Sequence, residues 1–201
     1  RRIFERMTSY ATFRITESLR VLMFMTLSIL VFNFYPVTAI MVVLLAILND
    51  IPIMLIAYDN VKTKDKPVRW NMKSVLSTSA ILSIGGVISS FILFWFISIN
   101  LNLPEETVRT MIFLKLLVAG HMTIFLTRNK GWMWEKPLPD IRFFIALEVT
   151  QIIGTLFAVY GWFIPAIGWT NALSVWGYAI VWLLFLNAIK VGANRLFKIG
   201  N

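Results

Sequence analysis

Ala46-Ile47-Leu48-Asn49-Asp50-Ile51-Pro52-Ile53-Met54 places a carboxylate and a proline in the middle of an otherwise apolar run from Val37 to Ala57. About 20 apolar residues, each rising about 1.5 Å, cross a bilayer as a helix, so the run reads as a membrane span with Asp50 inside it. Pro52 has no N–H to offer the carbonyl of Leu48, and its ring crowds the same oxygen. The helix is therefore expected to unwind beside the carboxylate, with the freed carbonyls, that of Leu48 first, serving as ligands or proton acceptors. Irregular backbone at membrane depth persists only where protein or a water-filled cavity surrounds it, and an ionisable side chain there points to function. Asp50, flanked by Asn49 and Pro52, is the expected transport site.

The rest of the chain agrees with a membrane setting. Of 201 residues, 58% are hydrophobic and only 14% charged, whereas about a quarter are charged in a soluble domain. The net charge of +9 comes from basic clusters between apolar runs, as membrane topology requires, which excludes nucleic acid as the partner. With 0 cysteines, disulfides, thiolate metal sites and cysteine catalysis are excluded. No metal-ligand cluster, nucleophile with base, or glycine-rich phosphate cradle is present. The opening Arg1-Arg2-Ile3-Phe4-Glu5-Arg6-Met7 carries neither an initiator methionine nor a signal-peptide pattern, and reads as a start within something larger.

Outward from the central run, the pattern predicts an all-α, polytopic helical bundle. Residues 1–35 contain no glycine or proline, so one helix of about 52 Å overshoots a hydrocarbon core of about 30 Å. Residues 1–17, with Arg1, Arg2, Arg6 and Arg14, form a cytoplasmic stalk, and 18–201 a six-helix membrane domain. Its spans are expected at about 18–35, 37–57, 74–98, 107–127, 143–162 and 172–189. Lys62, Lys64, Lys66, Arg69 and Lys73, then Arg128, Lys130, Lys136 and Arg142, then Lys190, Arg195 and Lys198 mark the cytoplasmic turns and tail. Both termini are thus expected inside. Gly85-Gly86 in the third span allows either a close helix approach or a bend.

Depth can be counted from the turns. Arg20, fifteen residues before Tyr35, and Asp50, fifteen after it, fall at one level about 22 Å from the outer end, and an antiparallel pair brings them together. The competing partner of Arg20 is Glu17, three residues earlier on the same helix face. Around Trp134, His121 comes level with Glu148, either as a hydrogen-bonded pair in the ion path or as packing residues. Lys115 lies nearer the outer half, where it either snorkels or supplies a fixed positive charge to a cavity.

These residues carry a family resemblance. Arg2-Ile3-Phe4-Glu5-Arg6-Met7-Thr8-Ser9-Tyr10 followed by Glu17-Ser18-Leu19-Arg20-Val21 resembles the stalk and fifth transmembrane helix of the plasma-membrane type of proton-pumping P-type ATPase. Ala46-Ile47-Leu48-Asn49-Asp50 with Ile53-Met54 resembles the sixth, and Phe125-Leu126-Thr127-Arg128 and Thr155-Leu156-Phe157-Ala158-Val159-Tyr160 the eighth and ninth. The chain departs from that family at Ile51-Pro52, where glycine and threonine are usual, and at Lys115 and His121, where glutamine is expected.

The resemblance implies the fifth to tenth helices of a pump in the cell membrane. Its partners are the bilayer, the N-terminal helices and cytoplasmic domains of the same pump, and a proton or other small cation. ATP and magnesium serve the complete pump, and no cofactor is expected in this chain, which shows no Asp-Lys-Thr-Gly segment for phosphorylation. Asp50 takes up and releases the proton, with Arg20 as its cationic partner. Leu48, Asn49, Pro52, Glu17, Lys115, His121 and Glu148 are the candidate path residues. Alternatives are a self-contained six-span channel or secondary transporter, a related pump for another cation, and a scaffold in which Asp50 and Arg20 only set helix register.

Overall fold

The computed structural model describes residues 2–61 and 72–196, and among them the regular structure is all helical. Among the described residues, six helices are long and apolar enough to cross a membrane. Lys62, Lys64, Lys66 and Arg69 of the expected basic turn, together with Arg1 and Lys198, lie outside the described residues.

Helix α1, Arg2–Phe32, is unbroken, as a stretch without glycine or proline allows, and the left-handed backbone of Asn33 (φ 49°) follows its end. Helix α2, Ala39–Met54, begins where the Thr38 side chain accepts the Met41 N–H at 3.5 Å, satisfying one of the amides that a helix start leaves without a partner. The expected unwinding beside Asp50 does not occur. Pro52 lies inside α2, and the α-helix continues to Met54 before tightening into a 3-10 turn at Leu55–Tyr58. A proline removes one hydrogen bond and forces a local adjustment, and here the change of winding comes after it rather than at the carboxylate.

Helix α3, Met72–Trp95, ends in a widened π-turn, Phe96–Asn100. Helix α4 is Glu105–Arg128, with two acids in its first turn, where the helix dipole favours negative charge. Helix α5, Ile141–Tyr160, is capped at its start by the Asp140 side chain and at its end by Gly161 at φ 79°, a conformation glycine adopts without steric cost. Helix α6, Gly168–Leu196, is longer at both ends than the expected 172–189.

Consecutive helices are not the main packing partners. α1 lies on α3 and α4, α2 lies on α5 and α4, and α6 lies on α4, α3 and α5. α1 and α2 meet chiefly through the 3-10 turn at one end of the bundle. α4 is the axis, touching all five other helices, and Phe113, Leu114, Leu116, Leu117 and Val118 on it are fully buried. A helix shielded from lipid on every side can carry polar groups that find partners on its neighbours, so α4 accommodates Lys115 and His121. Gly85-Gly86 serves close approach. A Cβ on Gly85 would collide with Leu186 of α6, and one on Gly86 would come 2.5 Å from Arg20 Cδ.

Candidate functional site

The charged residues at membrane depth form two separate arrangements on α1. Arg20 is 2% exposed and Glu17 is 7% exposed. The Arg20 Nη2 group donates to Glu17 Oε1 at 2.6 Å and to the Leu116 carbonyl of α4 at 2.9 Å. Room for this pair exists because both facing positions are glycines. A Cβ on Gly86 would press on the Arg20 stem, and one on Gly120 would lie 3.0 Å from both Arg20 Nη2 and Glu17 Oε1. The pairing of Arg20 with Asp50 expected from depth is therefore not formed, and Glu17 holds the guanidinium instead.

Asp50 meets Arg14. Its Oδ1 accepts from Arg14 Nη2 at 2.8 Å, with the Arg14 and Asp50 side chains 41% and 51% exposed. The pair bridges α1 and α2 on the open side of the six-helix unit. Arg14 and Arg20 are about 9 Å apart along α1 and about 240° apart around it. Counting depth placed Asp50 opposite Arg20 on the assumption that α1 and α2 pack along their lengths. Instead α4 lies against both, which draws Arg20 inward and leaves Arg14 facing α2. Asn49, next to Asp50, turns the other way and is buried, with its Oδ1 lacking a partner among the described residues.

On α4, Lys115 is 1% exposed and does not snorkel. Its Nζ donates to Ser90 Oγ at 2.5 Å and to the Gly86 carbonyl at 3.2 Å, so its amine is held by α3 at the glycine that also faces the Arg20 stem. His121 is fully buried, and its Nε2 lies 3.2 Å from the Leu48 carbonyl of α2. It makes no pair with Glu148, which is half-buried on α5 and has no hydrogen bond or ion pair among the described residues. Gln151, one turn further along α5, is fully buried with both side-chain polar atoms lacking partners among the described residues. Nothing at the sequence level separated Gln151 from ordinary packing residues.

A second cluster, also absent from the sequence reading, closes the end of the bundle at the 3-10 turn. Asp59 and Arg128 side chains are 1% and 2% exposed, and Arg128 donates to both carboxylate oxygens, at 2.5 and 3.1 Å. Arg128 Nη2 also donates to the Asn60 carbonyl, while Arg6 Nε donates to the Asp59 carbonyl at 2.8 Å and the Asp140 N–H to Asp59 Oδ1 at 3.1 Å. The Asp59 carboxylate thus ties α4 to the start of α5, and its backbone carbonyl ties α1 to the 3-10 turn that follows α2. A bidentate guanidinium–carboxylate pair is among the stronger side-chain contacts. The only advance signal was an acid placed directly before a basic segment.

Among the described residues there is no group of His, Asp and Glu arranged to hold a metal ion. The arrangement offers one half-exposed carboxylate with a guanidinium in contact, and deeper in the bundle the buried Glu17–Arg20 pair and the Lys115 amine. No family model matches the chain. Over 199 residues, 99% of this chain, the sequence is 48% identical to a "putative cation-transporting ATPase" of Methanocaldococcus jannaschii. The chain spans 25% of that protein's length.

Proposed function

We propose that the chain is the C-terminal part of the membrane domain of a P-type cation pump, in which Asp50 binds and releases the transported ion, a proton. The observation that carries this reading is the likeness of the whole chain to a quarter of a protein named as a cation-transporting ATPase, with a carboxylate and a proline in one membrane-length helix. A charge pair left half exposed at membrane depth is costly against lipid. Its position supports a site completed by other helices of the pump, lying over the open side of α1 and α2.

Within that site, removal from water favours the protonated carboxyl and a guanidinium in contact favours the carboxylate. Uptake and release then follow from Arg14 leaving and rejoining Asp50. Arg20, held by Glu17 and Leu116, acts in this scheme as a fixed cation rather than the moving partner. Each charge moved against 100 mV needs about 2.3 kcal/mol, which ATP hydrolysis with magnesium in the cytoplasmic domains supplies. α1, whose basic N-terminal half joins the Asp59 cluster through Arg6, transmits that drive. In this reading the protein sits in the cell membrane with both ends of the chain in the cytoplasm.

The test is Asp50→Asn in the full-length protein reconstituted in vesicles. ATP-driven acidification is expected to fall at least tenfold, about 1.4 kcal/mol or more in the transport step. Undiminished acidification by the variant overturns the role of Asp50. ATP-dependent uptake of another cation by the unaltered protein, without acidification, reassigns the ion.

A further inference from the structure

Pro52 cannot donate to the Leu48 carbonyl, the oxygen to which a residue four positions on ordinarily gives its amide hydrogen. In the structure that oxygen is met from another helix, by His121 Nε2 at 3.2 Å. A carbonyl oxygen only accepts, so the ring carries a hydrogen on Nε2. Nδ1 has no partner among the described residues, which leaves the bond to Leu48 as the polar contact that orients the ring. We propose that His121 is a positioning residue for the ion site, its Nε2–H standing in for the amide that Pro52 lacks and holding the turn with Asn49 and Asp50 against α4.

The surroundings make the bond a specific fit. Leu48 is 4% exposed and His121 fully buried, so a carbonyl left bare at this depth would forfeit its hydrogen bond with no water to replace it. Gly154 of α5 lies where α4 and α2 both approach it. A Cβ there would collide with Leu117 of α4 and come 3.2 Å from Leu48 Cδ1, so the Leu48 turn is held between α4 and α5 with little freedom to shift. Gly120, adjacent to His121, forms the wall against which Glu17 and Arg20 rest. A single turn of α4 therefore holds the buried ion pair of α1 and the proline-freed carbonyl of α2. Asn49 and Asp50 follow that carbonyl directly in the chain, and their placement depends on it.

The consequence for transport rests on the pump reading above, but the bond itself does not, and the experiment separates the two. In the full-length protein in detergent, His121→Leu is expected to lower the unfolding temperature, on the order of 2 °C for one lost buried hydrogen bond. His121→Gln, whose side-chain N–H group reaches a carbonyl, is expected to keep most of the loss from appearing. Pro52→Ala restores an amide to Leu48, so His121→Leu in that background is expected to cost little, giving a clear coupling in the double-mutant cycle. ATP-driven acidification is read on the same set and is expected to fall about tenfold for His121→Leu and to recover with Gln.

Equal losses from His121→Leu with and without Pro52, or equal losses from Leu and Gln, overturn the proposal. If His121→Leu does not fold, the Pro52→Ala, His121→Leu double variant is expected to fold, and its failure likewise overturns it. An Asp50→Asn variant that still acidifies, alongside an intact thermal coupling between Pro52 and His121, rejects the pump role of Asp50 and leaves the positioning bond standing.

Discussion

Two arginines of α1, less than two turns apart, form ion pairs of opposite character. Glu17 and Arg20 are buried, 2.6 Å apart, with a backbone carbonyl of α4 completing the contact. Arg14 and Asp50 are 2.8 Å apart and about half exposed. The chemistry is the same in both, a guanidinium and a carboxylate, so burial and the Leu116 carbonyl set them apart. Two charges withdrawn from water hold each other, because losing either partner leaves the other uncompensated. The Arg14–Asp50 pair has no such backbone contact among the described residues and opens toward the side on which we place the other helices of the pump, and for that reason it is the one suited to a cycle in which a carboxylate changes partners.

That contrast is open to direct measurement, and the largest effect belongs to the buried pair. Glu17→Ala or Arg20→Ala is expected to destabilise the protein by about 3–5 kcal/mol, read from unfolding in detergent, and a loss no greater than that of an exposed pair would erase the distinction. Gly86→Ala tests the same pair from its wall. The added methyl meets the Arg20 stem and is expected to cost about 1–3 kcal/mol by overpacking. A neutral result would mean that α1 and α3 can part there freely. Arg14→Ala has the smallest expected effect on unfolding, because it removes one contact between α1 and α2 and leaves the buried Glu17–Arg20 pair intact. In the same variant, ion transport by the full-length protein should change far more than stability. Equal and small effects on both would place Arg14 outside the site.

Several features were readable before any coordinates. The six long apolar helices, the unbroken first helix and the glycine pair follow from local composition, because helix length and the absence of glycine or proline act within a few residues. The consequence of Pro52 for Leu48 was legible for the same reason, since a missing N–H concerns an oxygen four residues away. What the proline did to the winding was not. α2 stays α-helical to Met54, and the ring that meets the Leu48 carbonyl comes from α4, a neighbour that no local rule anticipates. Glu17, named as the competitor for Arg20, proved to be its partner, while Arg14 and Gln151 carried no distinguishing local signal and Asp59 only its place before a basic segment.

The amino-acid sequence alone determined that this chain builds membrane-length helices with a carboxylate and a proline together in the second. Those properties depend on side-chain polarity and backbone chemistry summed over neighbours in the chain. Only the tertiary structure decided which helix became the axis and which way each charge points. Depth along a helix can be counted from residue numbers, but rotation about it depends on which neighbours pack there. α4 lies between α1 and α2 and turns Arg20 inward to Glu17, leaving Asp50 to Arg14 on the open side.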